Sequence, residues 1–219
     1  MLERVAAACS RSGRDPRSVS LLAISKAVPV ERLRLALAAG IVELGENRVQ
    51  EAEAKASQLS GVRWHLVGHL QSNKAGPAAQ LFATIHSVDT LDLARRLDRL
   101  AADRTAGRLG IYLQINVDRD EAKAGFSVAG VKADLPEILH LTHLDVLGLM
   151  TVGRLADVPE QARSSFRSLR DLSERMRADQ PALGPALSMG MSDDFEVAVE
   201  EGATVVRVGR AIFGERRPA

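Results

Sequence analysis

Val19-Ser20-Leu21-Leu22-Ala23-Ile24-Ser25-Lys26 is a short apolar run that ends abruptly in a lysine, with Pro29 soon after it and a helical pattern from about Val30. A run of this length and composition, closed by a turn signal, predicts a buried strand that delivers one amine at its end. Such an amine reads as a surface cation or, equally, as a lysine placed to form an imine with an aldehyde. Solvated lysine has a pKa of ~10.4. An imine-forming lysine therefore needs partial burial or a cationic neighbour to release its proton, and the rest of the chain has to supply these.

Outward from that run the pattern repeats. Leu2 to Cys9 reads as a short amphipathic helix ahead of it, and Val30 to Ala39, stopped by Gly40, as the helix behind it. Strands then follow at Ile41–Gly45, Val62–Val67, Ala83–Val88, Leu109–Asn116, Leu144–Met150, Ala186–Met189 and Thr204–Val208. Helices separate them at Asn47–Leu59, Ser72–Leu81 (interrupted near Gly76-Pro77), Thr90–Asp103, Val131–Leu141, Pro159–Ala178 and Asp193–Glu200. In the longest, Phe166, Leu169, Leu172 and Met176 recur at helical spacing. Strands alternating with helices argue for a parallel sheet covered by helices, and eight units favour closure into a (β/α)8 TIM-type barrel. An open doubly wound sheet is the competitor, weakened because no Gly-x-Gly-x-x-Gly follows the first strand.

Composition bounds the function. With 29 Lys plus Arg against 28 Asp plus Glu the net charge is +1, which offers no global attraction to nucleic acid or acidic membranes. Aromatic residues make up 3% of the chain, too few for base-stacking platforms. Cys9 is the single cysteine, so a disulfide within the chain is impossible and a reducing, cytoplasmic setting is expected. No apolar stretch approaches a membrane span.

A barrel gathers its functional groups at the C-terminal ends of its strands. Those ends carry Ser25-Lys26, Gly45-Glu46-Asn47, Gly68-His69, His86-Ser87 or Asp89, Asn116, Met150-Thr151, Ser188-Met189-Gly190-Met191-Ser192 and Arg207-Val208-Gly209-Arg210. Gly190 to Asp193 and Val208 to Ala211 each run from a strand into a helix start, where free amides favour a phosphate. Each alone reads as an ordinary turn; adjacent, they read as an anion cradle. Arg207 alternates with Val206 and Val208 and so points to the other face, where it needs an acceptor. A salt bridge to Glu46 or another carboxylate and a ligand's ring nitrogen or phosphate both qualify. His65, His69, His86, His140 and His143 show no metal-ligand spacing and read as packing or surface residues. Lys74 could help neutralise a phosphate if its helix start reaches the rim, and Asp118 to Lys123 reads as a solvated loop able to act as a lid.

Five stretches taken together resemble the pyridoxal phosphate homeostasis protein family: Leu21 to Lys26, Leu44-Gly45-Glu46-Asn47, Trp64 to Lys74, Leu187-Ser188-Met189-Gly190-Met191-Ser192-Asp193-Asp194, and Val206-Arg207-Val208-Gly209-Arg210-Ala211-Ile212-Phe213-Gly214. The resemblance implies a PLP-binding barrel over residues 1–219 as one domain, with a short N-terminal helix, related to the N-terminal half of alanine racemase. It also implies pyridoxal 5'-phosphate (PLP) held as a Schiff base covalently on Lys26. Ser192, Gly209 and the Arg210 amide would then bind the phosphate, Arg207 would face the pyridine nitrogen, and Asn47 would line the pocket. Many relatives have threonine at the place of Arg210, so only its backbone role carries over.

An arginine at the ring nitrogen leaves that nitrogen unprotonated and the cofactor a weak electron sink. Racemases of the related fold add a catalytic tyrosine from a second domain, whereas the only tyrosine here, Tyr112, lies early in the fifth strand. The expected role is therefore non-catalytic. It is a monomeric PLP carrier in vitamin B6 homeostasis that affects amino-acid and keto-acid balance, with PLP-dependent apoenzymes as recipients, no metal, and no nucleic-acid or membrane partner. A low-activity PLP-dependent amino-acid racemase is the alternative, and a Schiff-base aldolase ranks below both.

Overall fold

The computed structural model describes residues 1–153 and 158–214. Eight parallel strands pair in chain order: β1 (Ser20–Ile24), β2 (Glu43–Glu46), β3 (Arg63–Leu66), β4 (Thr84–Val88), β5 (Leu109–Gln114), β6 (Leu144–Met150), β7 (Ala186–Ser188) and β8 (Val205–Val208). β8 returns to β1 with Leu22 opposite Arg207, so the sheet is a closed barrel and the open doubly wound arrangement does not occur. Strands covered by helices outside and by side chains inside must be apolar or satisfied at almost every position. β4 and β5 are buried along their whole length.

The helices are α1 (Leu2–Arg11), α2 (Val30–Ala38), α3 (Val49–Ala56), α4 (Ala75–Leu81), α5 (Leu91–Ala101), α6 (Val128–Leu139), α7 (Arg163–Asp179), α8 (Phe195–Glu200) and α9 (Arg210–Phe213). In α7 the spaced residues Phe166, Leu169, Leu172 and Met176 are buried as expected, each contributing roughly 1.5–3 kcal/mol of transfer free energy. The Thr90 hydroxyl accepts from the amide of Leu93 at 3.2 Å and starts α5. Ser127 does the same for Gly130 at 3.0 Å, which moves the start of α6 from the expected Val131 back to Val128. Gly76-Pro77 does not interrupt a helix. A 3-10 turn at Ser72–Lys74 precedes α4, and Pro77 falls in its first turn, where a missing N–H costs nothing. The expected helix from Asn47 begins only at Val49, because Arg48 is extended and leaves Asn47 at the barrel mouth.

α1 docks on α8, where Arg4 donates twice to Glu196 at 3.1 Å and its guanidinium lies 4.7 Å from the Phe195 ring centre. No helix among the described residues is long and apolar enough to cross a membrane.

Candidate functional site

At the C-terminal end of the barrel, a cavity of ≈ 510 Å³ is lined by Lys26, Asn47, Ser192, Arg207, Gly209 and Arg210, together with Gly68, His69 and Gln114. The size suits a small cofactor or metabolite. All six candidate residues thus share one cavity. Lys74 does not join them. It lines a neighbouring cleft with Arg48 and Gln71, so its expected contribution to the anion cradle is not found. Among the described residues no three His, Cys, Asp or Glu side chains converge as a metal site.

Lys26 closes β1, and the turn behind it is held from outside the barrel. Ala27 adopts φ 58°, a left-handed conformation that costs a non-glycine residue roughly 1 kcal/mol. Its amide donates to Glu51 Oε1 at 2.7 Å, and Lys55 Nζ donates to the carbonyl of Ser25 at 2.7 Å. Lys55 also meets Glu46 Oε1 at 2.6 Å, and the Ser25 hydroxyl reaches the same oxygen at 2.7 Å. Glu46 is fully buried, and its second oxygen has no hydrogen-bond partner among the described residues. Burial raises its pKa, opposed by the bonds from Lys55 and Ser25. Glu46, expected at the rim, therefore faces helix α3 and, with Lys55 and Glu51, buttresses the backbone on either side of Lys26. Lys26 itself makes no ion pair or hydrogen bond among the described residues.

The two strand ends after β7 and β8, expected to form an anion cradle, meet at the cavity. The Gly209 amide donates to Ser192 Oγ at 3.3 Å, which brings the two candidate residues into contact. The amide of Met191 is taken by Asp194 Oδ1 at 2.6 Å, so that part of the expected cradle is occupied by the protein itself. The amides of Ser192, Asp193, Arg210 and Ala211 find no acceptor among the described residues. The Arg210 side chain pairs with Asp193, and both residues line the cavity.

Arg207 is 5% exposed and has no carboxylate bonded to it among the described residues. Nη1 donates to the Ser188 carbonyl at 2.7 Å and to Ser188 Oγ at 2.8 Å, and Nη2 donates to the Thr151 carbonyl at 2.9 Å. The expected salt bridge to Glu46 is absent, because Glu46 faces out of the barrel. Burial draws the guanidinium pKa down to about 10, with the charges of Asp194 and Tyr112 opposing, so it remains cationic at neutral pH. Its remaining N–H groups have no acceptor among the described residues, and Arg207 lines the cavity.

Two histidines, expected to pack or lie at the surface, instead form hydrogen-bonded contacts inside the barrel. His86 is fully buried, stacks on Tyr112 with ring centres 4.4 Å apart, and places Nδ1 2.8 Å from Ser188 Oγ. Because β4 and β7 are not neighbours in the barrel, that contact crosses the lumen. His86 Nε2 lies 3.1 Å from His65 Nδ1, and His65 Nε2 contacts Glu43 Oε2. Barrel interiors are usually filled by branched apolar residues, so a histidine in mid-strand, rather than at a strand end, was the available sequence signal. Tyr112, pushed up to about 12 by burial, lies beneath the cavity without lining it. The Asp118 to Lys123 loop is fastened rather than free. Lys123 Nζ reaches Asp118 at 3.3 Å and the Gly153 carbonyl at 3.2 Å, and Ser165 Oγ donates to Asp118 at 2.5 Å.

Known proteins share this arrangement. The sequence profile of the alanine racemase N-terminal domain family matches residues 4–217. The pyridoxal phosphate homeostasis protein of Aquifex aeolicus is 39% identical over 99% of this chain and 96% of its own length, and that of Pseudomonas aeruginosa is 40% identical over 97% and 91%. The structure of PipY from Synechococcus elongatus with PLP bound superposes with a TM-score of 0.85 at 40% identity, covering 97% of this chain and 99% of that one. An alanine racemase from Clostridium difficile shares the barrel alone, with a TM-score of 0.75 at 14% identity over 57% of its length. By sequence, by fold and by the residues gathered at its barrel mouth, the chain belongs to the pyridoxal phosphate homeostasis protein family.

Proposed function

We propose that this chain binds pyridoxal 5'-phosphate in the cavity at the barrel mouth, covalently through Lys26, and serves as a cytoplasmic carrier in vitamin B6 homeostasis rather than as an efficient enzyme. The observation that carries the reading is the meeting of an unpaired lysine, an anion site and a buried guanidinium in one cavity. This donor set fits the cofactor. The Ser192 hydroxyl, backed by the Gly209 amide, and the amide of Arg210 suit its phosphate, Arg207 its ring nitrogen, and Asn47 a polar substituent at the wall. When bound, PLP supplies an aldehyde carbon that the Lys26 amine attacks, forming a C=N bond with loss of water.

The protein's own part is to hold and orient. Glu46, Lys55 and Glu51 fix the backbone around Lys26, and Ser188 and Thr151 fix Arg207. A permanently cationic Arg207 disfavours protonation of the ring nitrogen and keeps the bound cofactor a poor electron sink. Tyr112, the only tyrosine, does not line the cavity, which leaves no tyrosine to act as a second acid–base group. The names of the relatives and the PLP found in PipY support the same reading. Residues 1–219 act in it as a single monomeric domain that buffers the free aldehyde, yields it to PLP-dependent apoenzymes, and so influences amino-acid and keto-acid balance. The test is the absorption spectrum of the purified chain with added PLP, followed by a panel of amino acids in deuterated water. Saturable binding without exchange at the α-carbon is expected; sustained exchange that depends on Lys26 would replace the carrier with a low-activity racemase.

A further inference from the structure

The barrel lumen holds a file of polar side chains that the carrier reading does not use. From the floor upward, Glu43, His65, His86, Ser188 and Arg207 contact one another in sequence, on strands β2, β3, β4, β7 and β8. We propose that Glu43, His65, His86 and Ser188 form a hydrogen-bond relay of fixed direction that transmits the negative charge of Glu43 to Arg207 and thereby orients its guanidinium toward the ligand cavity. His65 and His86 are positioning residues in this scheme, acting on the ligand only through Arg207.

The direction follows from counting donors and acceptors. Arg207 can only donate, so Ser188 Oγ accepts from it, and the Ser188 hydroxyl proton then needs an acceptor. His86 Nδ1, 2.8 Å away, is that acceptor when His86 carries its proton on Nε2. The Nε2–H then points at His65 Nδ1 at 3.1 Å, which must be bare, so His65 carries its proton on Nε2 and donates it to Glu43. Every polar hydrogen finds one acceptor with both rings neutral. The reverse order would require either a protonated Glu43 or a doubly protonated His65 that donates to both Glu43 and His86. The Glu43 carboxyl is held below the usual carboxylate range, first by the bond to His65 and further by the charge of Arg63, against partial burial. His86 is kept neutral chiefly by burial, reinforced by the charge of Arg207.

Other groups border the file. Arg63 Nε lies 3.3 Å from Glu43 Oε1, and Glu3 of α1 lines the same bottom cleft as Glu43. Tyr112 of β5 stacks on His86, and Asp194 acts on Arg207 through space from the α8 side. None of them enters the hydrogen-bonded file. Hydrogen bonds in series polarise one another in a low-dielectric interior, so a carboxylate at one end strengthens the grip of Ser188 on a cation at the other.

The test starts without ligand. Long-range 15N–1H spectra of the labelled, unliganded protein should show both His65 and His86 protonated on Nε2 and bare at Nδ1. A proton on His86 Nδ1, or on both its nitrogens, overturns the relay. Coupling is then read from the Arg207 Nε resonance in Glu43→Gln, His86→Asn and the double variant. Asparagine can still accept from Ser188 but is too short to reach His65. Glu43→Gln should move the Arg207 resonance in the wild-type background and leave it unmoved in His86→Asn; an equal shift in both backgrounds means that Glu43 acts through space, and no shift in either means that it does not act. On the proposed reading of Arg207 as the ring-nitrogen partner, each single variant should also speed PLP release by about threefold or more, with the double variant no faster than His86→Asn alone. Failure of PLP to bind would remove the carrier reading, and the spectra of the unliganded protein would still decide the relay.

Discussion

Lys55 Nζ lies 2.6 Å from Glu46 Oε1 and 2.7 Å from the carbonyl of Ser25, so a buried ion pair outside the barrel wall holds the backbone that presents Lys26 inside it. The pair costs desolvation of two charges, and Glu46 keeps one oxygen without a partner among the described residues. A buried pair of this kind is fragile to single substitution but replaceable as a unit. Lys55→Met should lower the free energy of unfolding by about 3–5 kcal/mol, as a lone buried carboxylate is left behind. Glu46→Leu with Lys55→Met should recover most of that loss in urea denaturation. A recovered fold with impaired capture of PLP would separate the positioning of Lys26 from stability.

On the proposed reading, the contact between the Gly209 amide and Ser192 Oγ marks the phosphate end of the cavity. Hydrogen bonds to a charged group contribute about 1.5–3 kcal/mol, so Ser192→Ala should weaken PLP binding by roughly 10- to 100-fold. Pyridoxal, which lacks the phosphate, should bind the variant and the wild type alike. Equilibrium titration of both compounds checks this, and a matching loss for pyridoxal would move the phosphate elsewhere.

Glu43 supplies a pH signature. Its folded pKa is depressed below the usual carboxylate value of about 4.5, chiefly by the bond to His65, so it contributes stability that is present above that value. The contribution is lost as pH falls through the lower folded value. The stability difference between wild type and Glu43→Gln should therefore shrink steadily as pH drops below about 4.5. Urea midpoints of both proteins, measured across that window, provide the check. A difference that stays constant with pH would mean that Glu43 is not held ionised by His65.

Much of this could be read from the chain. The run ending in Lys26 and the strand–helix alternation lead to the closed barrel, and the segments after the seventh and eighth strands lead to its cavity. What escaped depends on which way a strand residue faces. Glu46 follows Gly45 by one position and so points out to Lys55, while His65 and His86 point in, and a shift of one residue decides each case. The acceptors of Arg207 are carbonyls of Ser188 and Thr151, and no side-chain pattern announces a backbone partner. Lys55 falls within the helix expected over Asn47–Leu59, and its burial appears only once α3 lies against the barrel.

The central claim is that Lys26 is the covalent anchor. Incubating the protein with PLP, reducing it with borohydride and mapping the modified peptide by mass spectrometry tests this most directly. The account predicts a single modified residue, Lys26, and no stable label in Lys26→Ala. Label on another lysine of the wild-type protein, or undiminished labelling of Lys26→Ala, would contradict it.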